Sequence, residues 1–180
     1  MGPMWSGKTT ELLRLYDRKR HAGIKCLLIK HSIDQRYQAG AVVTHINSYG
    51  VHNRATAMIF ASISDVMSHL QTYGNASLFI DEIQFFPDKE RCVELMDMGI
   101  DVVAAGLNGD YNRRMFAGME ILVAAATDIK LLSAVCGLCK SDNACYSMRL
   151  SGSSDIIDVG GADKYVAVCL RCYKSKDEHQ

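Results

Sequence analysis

The 180-residue chain carries 20 Lys plus Arg against 20 Asp plus Glu, so it has no net charge, and 48% of its residues are apolar. Balanced charge argues against a nucleic-acid partner, which calls for a basic field. The length suits one domain with at most a small appendage. No apolar run nears the roughly 18 residues of a membrane span and no signal peptide opens the chain, so we expect a cytoplasmic protein with no membrane partner.

The chain begins GPMWSGKT from Gly2 to Thr9, the G-x-x-x-x-G-K-T spacing of a phosphate-binding loop. Gly2 and Gly7 permit a backbone that turns its N–H groups toward phosphate oxygens, and Lys8 brings charge to the β- and γ-phosphates. The Thr9 hydroxyl suits Mg²⁺, and the helix that follows offers its positive end. Pro3, Met4 and Trp5 either wall a second substrate's pocket or pack.

Helical spacing predicts a helix from Thr9 to Gly23, then a buried strand in KCLLIKHSI. Residues 34–53 are polar and aperiodic and read as a mobile surface loop. A helix follows in SISDVMSHLQTYG, with Ser62 and Ser64 as N-cap candidates, and then the strand ASLFIDE. FPDKERCVELMDMG reads as helix, DVVAAGLNG as a buried strand, and residues 116–135 as one more helix and strand. Apolar strands alternating with helices predict an α/β fold, a P-loop parallel sheet with helices on both faces and ligands at the carboxyl ends of the strands. Alternation stops at Cys136, which divides a nucleotide-binding core (1–135) from a small C-terminal zinc-ribbon or lasso domain (136–180).

LFIDEIQFF puts Asp81 and Glu82 where a buried strand ends. An acid there holds Mg²⁺ in phosphate-loop enzymes. Strand alternation turns its neighbour to the other face, so Glu82 suits a general base. Phe85 and Phe86 are divided between core packing and a surface for a planar base. Cys136-G-L-Cys139 and Cys169-L-R-Cys172 form two C-x-x-C knuckles, the ligand set of a closed structural Zn²⁺ site. Of the other three cysteines, Cys26 and Cys92 lie in apolar segments and Cys145 reads as a free thiol.

GPMWSGKTTEL, DEIQFFPD, the two Cys pairs and GGADKY occur in this order in the zinc-containing thymidine kinases, the cellular and poxvirus-like class, which the whole chain resembles. The resemblance implies transfer of the γ-phosphate of ATP to the 5′-hydroxyl of thymidine with Mg²⁺, an α/β core with a zinc-anchored lasso, a homotetramer and feedback inhibition by dTTP. It assigns Gly2, Pro3, Met4, Trp5, Ser6, Gly7, Lys8 and Thr9 to the triphosphate, with Asp34, Arg36, Asp81 and Gln84 beside it. It makes Glu82 the base. Phe85, Tyr111, Ile156, Ile157, Asp158, Val159, Gly160 and Tyr165 fall at the nucleoside. Trp5 and Tyr111 stand where the family usually has Phe, and Asn108 where it commonly has Asp.

The resemblance also places an apolar strand directly before the loop. Its absence here leads us to expect a fragment or mis-assigned start, and weak activity if the strand is truly lacking. Rival readings are a kinase for another deoxynucleoside or a nucleoside monophosphate, a truncated copy with little activity, and a zinc-ribbon nucleic-acid module on an ATPase core.

Overall fold

The computed structural model describes residues 1–34, 41–43, 54–74, 76–150, 156 and 160–177. The chain divides into two compact units. One comprises Thr9–Gly106 and Gly118–Thr127; the other comprises Met1–Lys8, Leu107–Ala117 and Asp128–Gln180. Residues 135 and 136, where the sequence pattern changes, both fall in the latter.

The first of these units is built on a four-stranded parallel sheet in the order β4-β1-β5-β6, formed by β1 (Cys26–His31), β4 (Met58–Phe60), β5 (Ser77–Asp81) and β6 (Val102–Ala104). All five residues of β5 are buried, as a central strand covered on both faces requires. Helix α1 (Lys8–His21) inserts Leu12, Leu13 and Tyr16 against Leu28 and Phe79, with the Tyr16 and Phe79 rings edge to face at 5.3 Å. It stops where the Gly23 amide turns back to the Arg20 carbonyl.

Helix α2 (Ile63–Tyr73) buries Ile63, Val66 and Leu70 at helical spacing. Ser62 is its N-cap, accepting from the Asp65 amide, and Ser64 is not. Asp88 instead reaches in from 24 residues away and accepts from the Ile63 and Ser64 amides at 2.7 and 2.9 Å. The helix expected from FPDKERCVELMDMG forms as a 3-10 turn over Lys89–Arg91 and a short α3 (Cys92–Asp97).

Two expectations are corrected. Within residues 34–53, Ala41–Val43 form β2, paired antiparallel with β3 (Arg54–Thr56), so the stretch is not all loop. Three-residue strands are too short to show a period. In residues 116–135 the helix forms as α4 (Met119–Ala125), but the strand reduces to one bridge between Ala134 and Ala144.

The other unit contains the antiparallel ribbon β7 (Tyr146–Arg149) and β8 (Tyr165–Val168), followed by α5 (Leu170–Asp177). Within it Gly2 bridges Leu107 in parallel, and the Met1 carbonyl accepts from the Leu132 amide at 2.8 Å. Among the described residues no helix is long and apolar enough to cross a membrane.

Candidate active site

The opening loop folds on itself. The Ser6 hydroxyl and Lys8 Nζ both donate to the Pro3 carbonyl, at 2.8 and 2.7 Å, which draws the lysine back across the turn. Gly7 takes φ 80°, a left-handed value that side chains oppose. A Cβ on Gly2 would lie 2.5 Å from Ser6 Oγ and 2.7 Å from the Leu132 carbonyl, so close approach fixes that glycine. Trp5 takes φ 66° and is 39% exposed. The Met4 amide is not aimed into the loop; it donates to Ser147 Oγ at 3.0 Å.

At the end of β5, parity decides which face Asp81 takes. It shares the face of Phe79, the one α1 covers, and Thr9 Oγ1 donates to its two carboxylate oxygens at 3.2 and 3.3 Å. Lys30 is its register partner on β1. Only 2% exposed, Lys30 donates from Nζ to the carbonyl of Asp34, itself buried, and so closes the turn after β1. Sequence reading passed over Lys30; a lysine inside the apolar run CLLIKH was the available signal.

Glu82 lies beyond the strand whose alternation was expected to orient it. β5 ends at Asp81, so alternation no longer applies, and Glu82 adopts the left-handed region at φ 53°, ψ 50°. For a non-glycine residue this conformation costs on the order of 1 kcal/mol or more. Its surroundings hold it there. The Ile83 amide donates to the Ala105 carbonyl at 2.9 Å, a 3-10 turn follows over Ile83–Phe85, and Gln84 Nε2 donates to Glu82 Oε2 at 2.7 Å. Gln84 is buried, and Gly106 gives it room: a Cβ there would lie 2.6 Å from Ile83 Cγ2 and 3.0 Å from Gln84 Oε1. The two phenylalanines separate, Phe86 being wholly buried against His31 at 4.9 Å and Phe85 half-buried.

In the other unit, Tyr111 and Tyr165 are brought together by Arg149. Arg149 and Tyr165 face each other across β7–β8, and the guanidinium lies 4.0 Å from the centre of the Tyr111 ring. Asn108 donates from Nδ2 to the Cys145 carbonyl at 3.0 Å, a bond no carboxylate can make. Ile156 is exposed and Gly160 half-buried. Arg36, Ile157, Asp158 and Val159 lie outside the described residues. Ser147 and Arg149 were missed in the sequence. The hint lay in YSMR, where polar and bulkier residues alternate in a short strand.

The sulfur atoms of Cys136, Cys139, Cys169 and Cys172 all lie within 4.8 Å of one another. A tetrahedral zinc with bonds of about 2.3 Å needs sulfurs roughly 3.8 Å apart, and the Cys139–Cys169 pair is at 3.6 Å. Donor set and spacing therefore fit zinc. A hydrogen bond from the Ser141 hydroxyl, with others from its neighbours, pulls the Cys139 thiol down to about 5, which favours the metal-binding thiolate. Burial instead pushes the Cys92 thiol up to about 12, leaving it an inert core residue.

A family model described as thymidine kinase matches residues 1–173. The chain belongs to the thymidine kinase family. It is 38% identical to the cytosolic thymidine kinase of Gallus gallus, over 99% of this chain and 77% of that one. It is 37% identical to the thymidine kinase of fowlpox virus, over 97% and 94%, and 41% identical to thymidine kinase 1 of Dictyostelium discoideum, over 97% and 75%. As a member of the thymidine kinase family the protein is a phosphotransferase, and the family's substrates are ATP and thymidine.

Proposed function

We propose that this protein transfers the γ-phosphate of ATP to the 5′-hydroxyl of thymidine, yielding dTMP for nucleoside salvage. The observation that carries the mechanism is Glu82, held in a left-handed conformation beside Gln84 at the end of a buried strand. Its carboxylate takes the proton of the 5′-hydroxyl as that oxygen attacks the γ-phosphorus and ADP leaves.

Gly2 to Thr9 bind the triphosphate, with Lys8 supplying positive charge once it exchanges the Pro3 carbonyl for phosphate oxygens. Asp34, Arg36 and Gln84 belong with the phosphate-binding residues. Thr9 and Asp81, already hydrogen-bonded to each other, are the groups that would hold Mg²⁺. When bound, Mg²⁺ neutralises charge on the transferring phosphate.

Phe85, Tyr111 and Tyr165 contact the nucleoside, and the segment Ile156 to Gly160, including Ile157, Asp158 and Val159, takes the thymine edge through backbone groups. Cys136, Cys139, Cys169 and Cys172 would hold zinc. Four thiolates leave no open coordination position, so its role is structural. A cytoplasmic homotetramer, inhibited by dTTP, completes the reading.

The test is transfer of labelled γ-phosphate from ATP to thymidine, deoxycytidine, deoxyguanosine and thymidylate. We expect label on thymidine, and Glu82→Gln to slow turnover about 10²- to 10⁴-fold while thymidine still raises the melting temperature. Near-normal turnover in that variant removes Glu82 as the base. Preferential labelling of another acceptor removes the thymidine assignment.

A further inference from the structure

We infer that Arg149 is a positioning residue that sets the two tyrosine rings of the nucleoside site, an inference that rests on the thymidine reading above. Antiparallel pairing puts Arg149 directly opposite Tyr165, so both side chains project from the same face of the ribbon. From there Nη2 and Nε both donate to the Tyr165 hydroxyl, at 2.6 and 3.2 Å. The flat guanidinium also lies 4.0 Å from the Tyr111 ring centre and 5.2 Å from that of Tyr165, within cation–π range of both. One planar group thus fixes a phenol by its edge and a second ring by its face. The residue is only 6% exposed.

A permanently charged side chain is an unfavourable choice for simple filling, because desolvating it costs more than an apolar residue of the same size. What the charge supplies is orientation. The Tyr111 backbone is tied separately, its carbonyl accepting from the Tyr173 hydroxyl of α5 at 2.7 Å, while its ring meets the Arg149 guanidinium. β7 also sorts its residues by parity. Tyr146 and Met148 pack with the zinc-ligand cluster, while Ser147 and Arg149 point the other way. Arg149 therefore couples the metal-pinned ribbon to both rings.

Lysine cannot reproduce this, being a point charge without a fork or a face. Arg149→Lys should raise the KM for thymidine about 10-fold, the scale of a coupled polar pair, with the KM for ATP within about twofold of the parent. Tyr165→Phe, which deletes one hydroxyl, should raise the thymidine KM less. The double variant should then fall short of the product of the two single effects, because both break the same bond.

Zinc content and melting temperature are measured on every variant. A merely structural role would lower the active fraction and the melting temperature while leaving the thymidine KM of the surviving enzyme unchanged, and that result overturns the inference. Multiplicative single effects also overturn it, as does an equal rise in the KM for ATP. Should Arg149→Lys fail to fold, Tyr165→Phe alone decides, and an unchanged thymidine KM there counts against us. The parent is assayed first. If it does not phosphorylate thymidine the functional reading itself has failed, and the inference goes with it.

Discussion

The end of β5 and the β7–β8 ribbon both hold polar side chains in fixed positions, but they draw on different sources of stability. Around β5 the support is bulky and apolar. Leu78, Phe79, Ile80 and Ile29 are completely buried, and each such side chain contributes about 1.5–3 kcal/mol on removal from water. The ribbon has four-residue strands, and its cluster contains Ala134, Ala144 and Ala167 with Cys136 and Cys169, joined by Met148 and Val168. Alanines and thiols bury less apolar surface per residue than the leucine, isoleucines and phenylalanine around β5. The strand end is positioned by burial, and the ribbon, on the proposed zinc reading, by its four thiolates, so different perturbations should loosen them.

The largest expected effect is metal removal. Structural zinc contributes about 10–16 kcal/mol to small zinc-dependent folds. Chelation, or Cys136→Ser, should strip hydrogen-exchange protection from the amides of β7 and β8, while those of β1 and β5 keep theirs. Persistent protection in the ribbon after the zinc is gone would break the contrast.

On the other side, Gly106→Ala leaves the ribbon's thiols untouched and presses a methyl group into Ile83 Cγ2. Overpacking of this kind costs about 1–3 kcal/mol, read as a fall in the urea midpoint with zinc content unchanged. A neutral result would mean that the turn after Glu82 is looser than its packing indicates.

The smallest effect is electrostatic. Burial pushes the Asp88 carboxyl up, but hydrogen bonds from the Ser64 hydroxyl and the Ile63 and Ser64 amides outweigh it and hold the group below its ordinary 3.8. A lowered folded value means stability present at neutral pH and lost as pH falls through that value. Asp88→Ala should therefore cost about 0.5–2 kcal/mol at pH 7, as other lost helix caps do. The gap to the parent should narrow below about pH 4. A gap independent of pH would assign the loss to packing.

What the sequence displayed well was groups of functional side chains carried on nearby residues. The loop, the acids ending β5 and the paired cysteines each need fixed residue types at short spacing, and all three could be read directly. The β2–β3 pair escaped because Ala41–Val43 and Arg54–Thr56 are stabilised by pairing with each other, not by any local period. Asp88 escaped because a cap supplied from 24 residues away leaves no mark near the helix it caps. Arg149 and Ser147 escaped because their burial depends on ribbon pairing, and a short polar strand looks solvent-facing until its partner is known. The alternation expected to orient Glu82 does not reach it, because β5 stops at Asp81 and the Ile83 amide beyond it is tied to the Ala105 carbonyl.

Glu82 stands at a backbone position that suits glycine or asparagine better than glutamate. Folding and the proposed role as base therefore place opposite demands on this position. A library of variants screened only for thermal stability would drift toward glycine at position 82 and discard the proposed base while yielding sturdier protein. Any effort to improve the robustness of this enzyme should hold that residue constant and look for its gains elsewhere.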